Sequence, residues 1–279
     1  MGLLICPVCG KPLVKNEKSY ACNGGHSFDV SSDGYVHLLM SNKMNSKLPG
    51  DNKQMINARS AFLQKDYYKP LADRLAEILL KDFAESGNCR PVVVDAGCGE
   101  GYYTEKIFDA LAQNGLSPAI VGLDISKIGI RLAAKRKKRI TFVVASVFDM
   151  PVLSGSADCI LSLFAPVCAG EFARVLKSKG SVYVVVPAKK HLFQMKAQLY
   201  EKPYLNDEQP PELDGFVLEQ AAELNYEIDL NSQQDIAALF MMTPYYYKTP
   251  KQAAERLAQL NRLETEVGFI ICKYKKSSK

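Results

Sequence analysis

The chain has 279 residues, 47% of them hydrophobic and 23% charged, with a formal net charge of +5. That balance excludes a disordered or collagen-like chain and is enough for one large core with a small appendage. No apolar run approaches the roughly 20 residues that cross a bilayer, and the start "MGLLICPVCG" lacks the basic region and cleavage site of a secretion signal.

The first predicted element is a metal site. Two residues separate Cys6 from Cys9, twelve separate Cys9 from Cys22, and three separate Cys22 from His26, which is the ligand spacing of a Cys3His zinc centre. The alternation in "LVKNEKSYAC" predicts a short hairpin between the two ligand pairs. A ribbon of about 35 residues cannot bury enough surface to fold without such a staple. A redox Cys-x-x-Cys pair would need a βαβ context that is absent here, and it would leave Cys22 and His26 without a task. The part up to Lys65 carries eight Lys or Arg against four Asp or Glu, so the appendage is basic.

A connector follows. "SNKMNSKLPGDN" reads as loop, and Leu71, Leu75, Ile78 and Leu79 have the helical period of an amphipathic helix over residues 69–84. Beyond residue 90, strands alternate with helices: "PVVVDAGCGEGYYTEKIFDALA" and "AIVGLDISKIGIRLAAKRK" each read as strand, turn and helix, and "ITFVVAS", "ADCILSLFAP" and "GSVYVVVP" are three more strands. This pattern predicts a doubly wound, mostly parallel sheet with its ligand outside the strand carboxyl ends. The run "KRKKR" at 135–139 falls at a predicted helix end, where cations suit the helix dipole. With the basic ribbon and the tail "KYKKSSK", it also fits a polyanion partner.

The turn "DAGCGEG" places Asp95, Gly97, Gly99 and Gly101 at every second residue, unlike the phosphate-binding G-x-G-x-x-G. A carboxylate ahead of the first glycine repels phosphate and suits an ammonium group, which points to S-adenosylmethionine. Asp124 ends the next strand, placed to accept two ribose hydroxyls. The fold expected is therefore α/β, a class I S-adenosylmethionine-dependent methyltransferase behind a small N-terminal zinc-ribbon domain. Phe164 and Pro166 in "LFAPV" should wall the acceptor side and offer a base-stacking surface. This is not the Asp/Asn-Pro-Pro-Tyr motif of exocyclic amine methylation. Cys98 and Cys168 read as packing thiols rather than nucleophiles. Together with Cys89, Cys159 and Cys272 they fit a reducing compartment, taken as the cytoplasm.

The residues quoted resemble a family, the bacterial 23S rRNA guanine-N1 methyltransferases of the RlmA or RrmA type. The likeness runs almost end to end, through "CPVCG", "H.FD", "GYV.LL", "PGD", "M..AR..FL", "Y..PL", "D.GCGEGYYT", "GLDISK", "FAP", "EFARVLK", "HL..MK" and "MTP". The resemblance implies structural zinc on Cys6, Cys9, Cys22 and His26. It implies cofactor contacts from Tyr68, the loop Asp95, Gly97, Cys98, Glu100, Gly99 and Gly101, Asp124 and His191. It divides the chain into a zinc-binding RNA-recognition domain (1–37), a helical linker (38–89) and the methyltransferase domain (90–279), with a 23S rRNA hairpin as partner and no membrane. A homodimer is left open. Ser146 stands where related enzymes often carry an acid for the adenine amino group.

No residue is identified as the base for the guanine N1 proton; Asp207 and Asp214, in "KPYLNDEQPPELDGF", are the acids considered. The segment "QQDIAALFMMTPYYYKTP" reads equally as a substrate wall or a packing helix. Two other functions share the glycine loop: a small-molecule methyltransferase of the quinone or antibiotic type, and a non-catalytic RNA-binding protein. The basic zinc module argues against the first and the intact acids against the second.

Overall fold

The computed structural model describes residues 2–40 and 50–277. Three short strands, β1 (Val14–Lys15), β2 (Ser19–Ala21) and β3 (Ser27–Asp29), form the antiparallel ribbon that the hairpin alternation predicts. β4 (Val36–His37) then leaves the ribbon and pairs in parallel with Val143 and Val144 of the main sheet. Of the loop predicted at 41–52, residues 41–49 lie outside the described residues, as do Met1 and the last two residues of the basic tail.

α1 (Lys53–Leu63) starts at Asn52, whose side chain accepts from the Met55 amide at 3.0 Å. α2 (Lys69–Ser86) covers the amphipathic stretch predicted at 69–84. It has proline in its first turn and ends on Gly87 in the left-handed conformation, with φ 67°. The alternating body follows as β5 (Val92–Ala96), α3 (Tyr102–Gln113), β6 (Ala119–Asp124), α4 (Lys127–Arg136), β7 (Thr141–Val144), β8 (Ala157–Leu163), α5 (Ala169–Val175) and β9 (Leu176–Pro187). α6 (Phe193–Leu199), β10 (Phe216–Leu230), α7 (Gln233–Met241), α8 (Tyr245–Lys248), α9 (Lys251–Ala258) and β11 (Leu263–Lys276) complete the described chain.

Among the described residues, eight strands make one sheet in the order β10-β11-β9-β8-β5-β6-β7-β4. β5 lies between β6 and β8, so the winding reverses there and a crevice opens above its carboxyl end. The central strands are apolar on both faces because both faces are covered. Val93 packs with α2 and α3, while Val94 and Ala96 share a second core with the ribbon residues Leu4, Leu13, Cys6 and Cys22. The ribbon is also joined by backbone to the body, through Ile5 N–H to Pro151 O at 3.0 Å and Leu153 N–H to Leu3 O at 2.9 Å. Asp33 of the ribbon meets Arg131 of α4 at 2.7 Å.

The β10–β11 hairpin is not anticipated by the strand reading. β10, "FVLEQAAELNYEIDL", is the outer edge of the sheet and its Glu219, Glu223 and Glu227 are exposed, so charge at alternating positions hides a strand that needs only one apolar face.

Candidate functional site

In the ribbon, one donor atom from each of Cys6, Cys9, Cys22 and His26 lies within 4.8 Å of every other. A tetrahedral zinc ion at about 2.3 Å from sulfur and about 2.05 Å from nitrogen sets two sulfurs about 3.75 Å apart, and sulfur about 3.6 Å from nitrogen. The Cys9 and Cys22 sulfurs are 3.7 Å apart, and His26 Nδ1 is 3.5 Å from the sulfurs of both Cys6 and Cys22. Donor chemistry and spacing both fit zinc. Cys6 and Cys22 are buried and Cys9 is exposed.

At the crevice, the glycine loop is folded tightly onto its neighbours. Gly97 and Cys98 both donate their amides to Leu123 O, at 2.8 and 3.0 Å. Gly97 has φ 87°, and a Cβ there would stand 2.4 Å from Ala165 Cβ, so the loop after β8 is pressed directly against the cradle. Gly99, with φ 56°, is different: a Cβ there meets nothing closer than Arg59 Nη1 at 3.8 Å, which leaves open room beside the backbone for a ligand. Gly97→Ala is therefore expected to cost about 1–3 kcal/mol of backbone strain on top of the clash. A thermal melt should record a drop of roughly 2–4 °C for each kcal/mol in a chain of this size; an unchanged melting temperature would contradict the contact.

Asp124 is held by two amides, Gly99 N–H to Oδ2 at 3.0 Å and Ser126 N–H to Oδ1 at 2.7 Å. Each oxygen keeps a lone pair for a hydroxyl. Asp95 is buried and accepts from Thr104 Oγ1 at 2.6 Å. Burial, opposed by that hydrogen bond and reinforced by Asp124, raises its carboxyl to about 7. The Glu100 side chain turns to Arg136 of α4, whose Nε donates at 2.7 Å. Burial pushes the Cys98 thiol well above its usual range, which agrees with a packing role. Ser146 Oγ accepts from the Phe148 amide at 3.2 Å.

Above the loop stands α1. Asp51 pairs with Arg59 at 2.5 Å, and a Cβ on Gly50 would lie 3.1 Å from Ile125 Cγ2. Gly50, Asp51 and the "AR" motif at Ala58 and Arg59 thus form a roof over the stretch from Gly99 to Ser126, a role that spacing alone does not disclose.

The remaining wall is aromatic. The Tyr68 ring lies 5.1 Å from Phe269 and 6.2 Å from His191, His191 lies 4.9 Å from Phe269, and Phe164 lies 5.5 Å from Phe269 and 6.4 Å from Tyr103. Tyr68 and His191, which are far apart in sequence, therefore meet. Phe269 and Tyr103 join them without any sequence signal beyond their being aromatic. Three non-glycine residues of the described chain have positive φ, Asp66 (59°), Phe164 (56°) and Leu192 (57°). All three belong to or adjoin this wall.

His191 Nδ1 accepts from the Gly268 amide at 3.3 Å, which puts the ring proton on Nε2. Burial, with nearby Lys196 adding to it, lowers the imidazole to about 3 despite that hydrogen bond, so the ring is a neutral donor. Lys196, fully buried over the Tyr204 ring, donates to Asn206 Oδ1 at 2.6 Å. Asn206 in turn donates to Ala188 O at 2.8 Å and His191 O at 3.5 Å, and so holds the His191 turn.

Of the two acids considered as bases, Asp207 follows Asn206 and stands at this end of the sheet. Asp214 does not. It precedes Phe216, which pairs with Lys276, whereas Pro187 at the carboxyl end of β9 pairs with Phe269. The intervening stretch of β11 places Asp214 about 20 Å away, at the opposite end of the sheet. Of the "QQDIAALFMMTPYYYKTP" segment, Gln233–Met241 is α7, packed on α1 and α9 as a packing helix is, while Tyr246 and Tyr247 of α8 are exposed.

Residues 4–47 match the family model described as "RlmA, N-terminal", a zinc ribbon, and residues 90–236 match one described as "Methyltransferase domain". The Streptomyces fradiae protein named "23S rRNA (guanine(748)-N(1))-methyltransferase" is 29% identical over 97% of this chain and 96% of its own length. The Bacillus subtilis (strain 168) protein named "Putative 23S rRNA (guanine-N(1)-)-methyltransferase YxjB" is 30% identical over 95% of this chain and 94% of its own. A Micromonospora griseorubida protein, named "Putative 23S rRNA (guanine-N(1)-)-methyltransferase", is 33% identical over 70% of this chain and 69% of its own.

Proposed function

The chain belongs to the family of 23S rRNA (guanine-N1)-methyltransferases, and we propose that it transfers the methyl group of S-adenosylmethionine to N1 of a guanine in a hairpin loop of large-subunit rRNA. The observation that carries this reading is the union of two sites: a Cys3His cluster on a ribbon seated against the sheet, and an acid-flanked glycine loop at the point where that sheet reverses. In this reading residues 1–37 recognise the RNA, 38–89 link, and 90–279 carry the transfer, in the cytoplasm. No helix among the described residues is long and apolar enough to cross a membrane.

When bound, S-adenosylmethionine supplies a sulfonium methyl to an attacking nucleophile, and the rest falls to positioning. Asp124 would hold the ribose hydroxyls, the open backbone at Gly99 would leave room for the cofactor, and Gly97, Cys98, Glu100 and Gly101 would complete the loop. Tyr68 and His191 would contact its amino-acid end. Zinc on Cys6, Cys9, Cys22 and His26 holds the ribbon in shape. Guanine N1 lies on the Watson–Crick edge, so the base must be unpaired or flipped out of its stack. Phe164, 47% exposed at the mouth of the aromatic wall, offers the face on which it stacks. His191 is a donor here and does not take the N1 proton.

Asp95 gives the cofactor step a pH signature. Its carboxyl, raised to about 7, is protonated below that pH and must ionise to hold an ammonium group. Cofactor affinity is expected to fall about tenfold for each pH unit below 7 and to level off above it. Asp95→Asn should flatten the profile in calorimetric titrations, and a wild-type profile already flat from pH 5 to 8 would contradict the role. The sign for stability is the reverse. A folded value above the unfolded 3.8 means that the contribution of this group is fully present below about pH 4 and is lost as pH rises through about 7.

Primer extension on rRNA from a strain lacking the gene tests the function. The predicted result is loss of one Watson–Crick-edge stop within a hairpin loop. An unchanged stop pattern, with methyl transfer to a quinone-type or antibiotic-type metabolite instead, would replace this reading with the small-molecule one.

A further inference from the structure

Buried hydroxyls in folded proteins almost always find a hydrogen-bond partner, and each exception calls for a reason. Among the described residues, the buried side-chain oxygens left without one are Tyr68 Oη, Tyr103 Oη and Glu100 Oε1. The two hydroxyls belong to one aromatic cluster, in which Phe164 and Phe269 join the Tyr103 ring to the Tyr68 ring. Tyr103 stands in the first turn of α3, two residues beyond the last glycine of the cradle. Two donors without acceptors in one aromatic cluster beside the cradle describe a place for an acceptor that the described residues do not themselves supply.

We infer that Tyr103 is a cofactor-binding residue: its hydroxyl, with that of Tyr68 and the Nε2–H of His191, forms a neutral donor set for the carboxylate of the cofactor's amino-acid end. The inference rests on the S-adenosylmethionine reading above. In that reading Asp95 takes the ammonium group, and the carboxylate is then the acceptor still in need of donors. Four cations of the described residues around this cluster are engaged elsewhere: Arg59 with Asp51, Arg136 with Glu100 and Glu105, Lys106 with Asp66, and Lys196 with Asn206 and Tyr204 O. Burial, with the neighbouring Tyr68 and Tyr226 hydroxyls adding to it, holds the Tyr103 phenol well above its usual range, so it stays a donor at any working pH.

Tyr103→Phe removes one atom and leaves the ring packing in place. Three readings on the variant and wild type are required: calorimetric affinity for S-adenosylmethionine, affinity for 5′-methylthioadenosine, which has the nucleoside and sulfur but no amino-acid end, and the melting temperature of the ligand-free protein. The expected result is an affinity for S-adenosylmethionine weaker by about tenfold, an unchanged affinity for 5′-methylthioadenosine, and a ligand-free melting temperature equal to or above wild type, because an unpaired buried hydroxyl has been removed. Unchanged S-adenosylmethionine affinity, an equal loss for 5′-methylthioadenosine, or a lowered ligand-free melting temperature would each overturn the assignment. So would a raised KM for RNA with cofactor affinity intact, which would move the hydroxyl to the acceptor side. If wild type binds neither ligand, the cofactor reading itself fails, a result distinct from failure of Tyr103 alone.

Discussion

Replacing Cys9 by serine is expected to release zinc and reduce rRNA methylation by at least about 100-fold, while leaving S-adenosylmethionine affinity unchanged. The three ribbon strands are two or three residues long, too short to hold a fold by pairing alone. In modules of this size the metal contributes about 10–16 kcal/mol of apparent binding energy, which becomes folding energy. Cys9 is the informative ligand because it is exposed. Cys6 and Cys22 also fill the core shared with Val143 and Val152, so serine there would confound metal loss with a packing defect. The cofactor cradle should survive, since its own bonds, Thr104 to Asp95 and the Gly99 and Ser126 amides to Asp124, run entirely within residues 95–126. Zinc release with a metallochromic dye, calorimetry with cofactor and a methylation assay on rRNA separate the three effects. Wild-type RNA activity in the zinc-free variant would remove the reader role from the ribbon.

Asp124→Ala should weaken S-adenosylmethionine binding by about 1.5–3 kcal/mol, roughly 10- to 150-fold. In the proposed site the carboxylate has two jobs. It fixes the Gly99 and Ser126 amides, and it presents its remaining lone pairs where ribose hydroxyls would lie. Burial raises its carboxyl above the ordinary range, although the Ser126 and Gly99 amides and nearby Arg59 oppose that shift. Asp124→Asn distinguishes the two jobs, because it keeps one carbonyl acceptor for the loop but loses half the charge-assisted contacts, and it should fall between alanine and wild type. A calorimetric dissociation constant unaffected by the alanine change would mean that the ligand does not lie across the end of β6.

The zinc cluster and the glycine loop are legible in sequence for the same reason: each is local. The four zinc ligands fall within residues 6–26 and the cradle glycines within 97–101, so spacing alone encodes their geometry. Asp124 was legible because it ends a strand beside the glycine loop. Tyr68 and His191 are 123 positions apart and could be joined only through family resemblance; the fold brings them together by packing both against Phe269. Tyr103 was hidden because an aromatic in a helix's first turn looks like core, and what marks it is a hydroxyl without a partner, a property of the folded state alone. The Asp51–Arg59 roof, the Arg136–Glu100 pair and the Lys196–Asn206 brace are tertiary for the same reason. β10 escaped notice because an edge strand with glutamates on its open face resembles a solvated loop, and Asp214 seemed a candidate base only while the register of that strand was unread.

Incubation of the purified, zinc-loaded protein with S-adenosylmethionine and a 23S rRNA transcript, followed by digestion to nucleosides and mass spectrometry, reads out the transferred methyl group on the base itself. 1-Methylguanosine is the expected new methylated nucleoside, absent when the transcript or the cofactor is omitted. Methylation at another position of the base, or none on RNA at all, would contradict the proposed function.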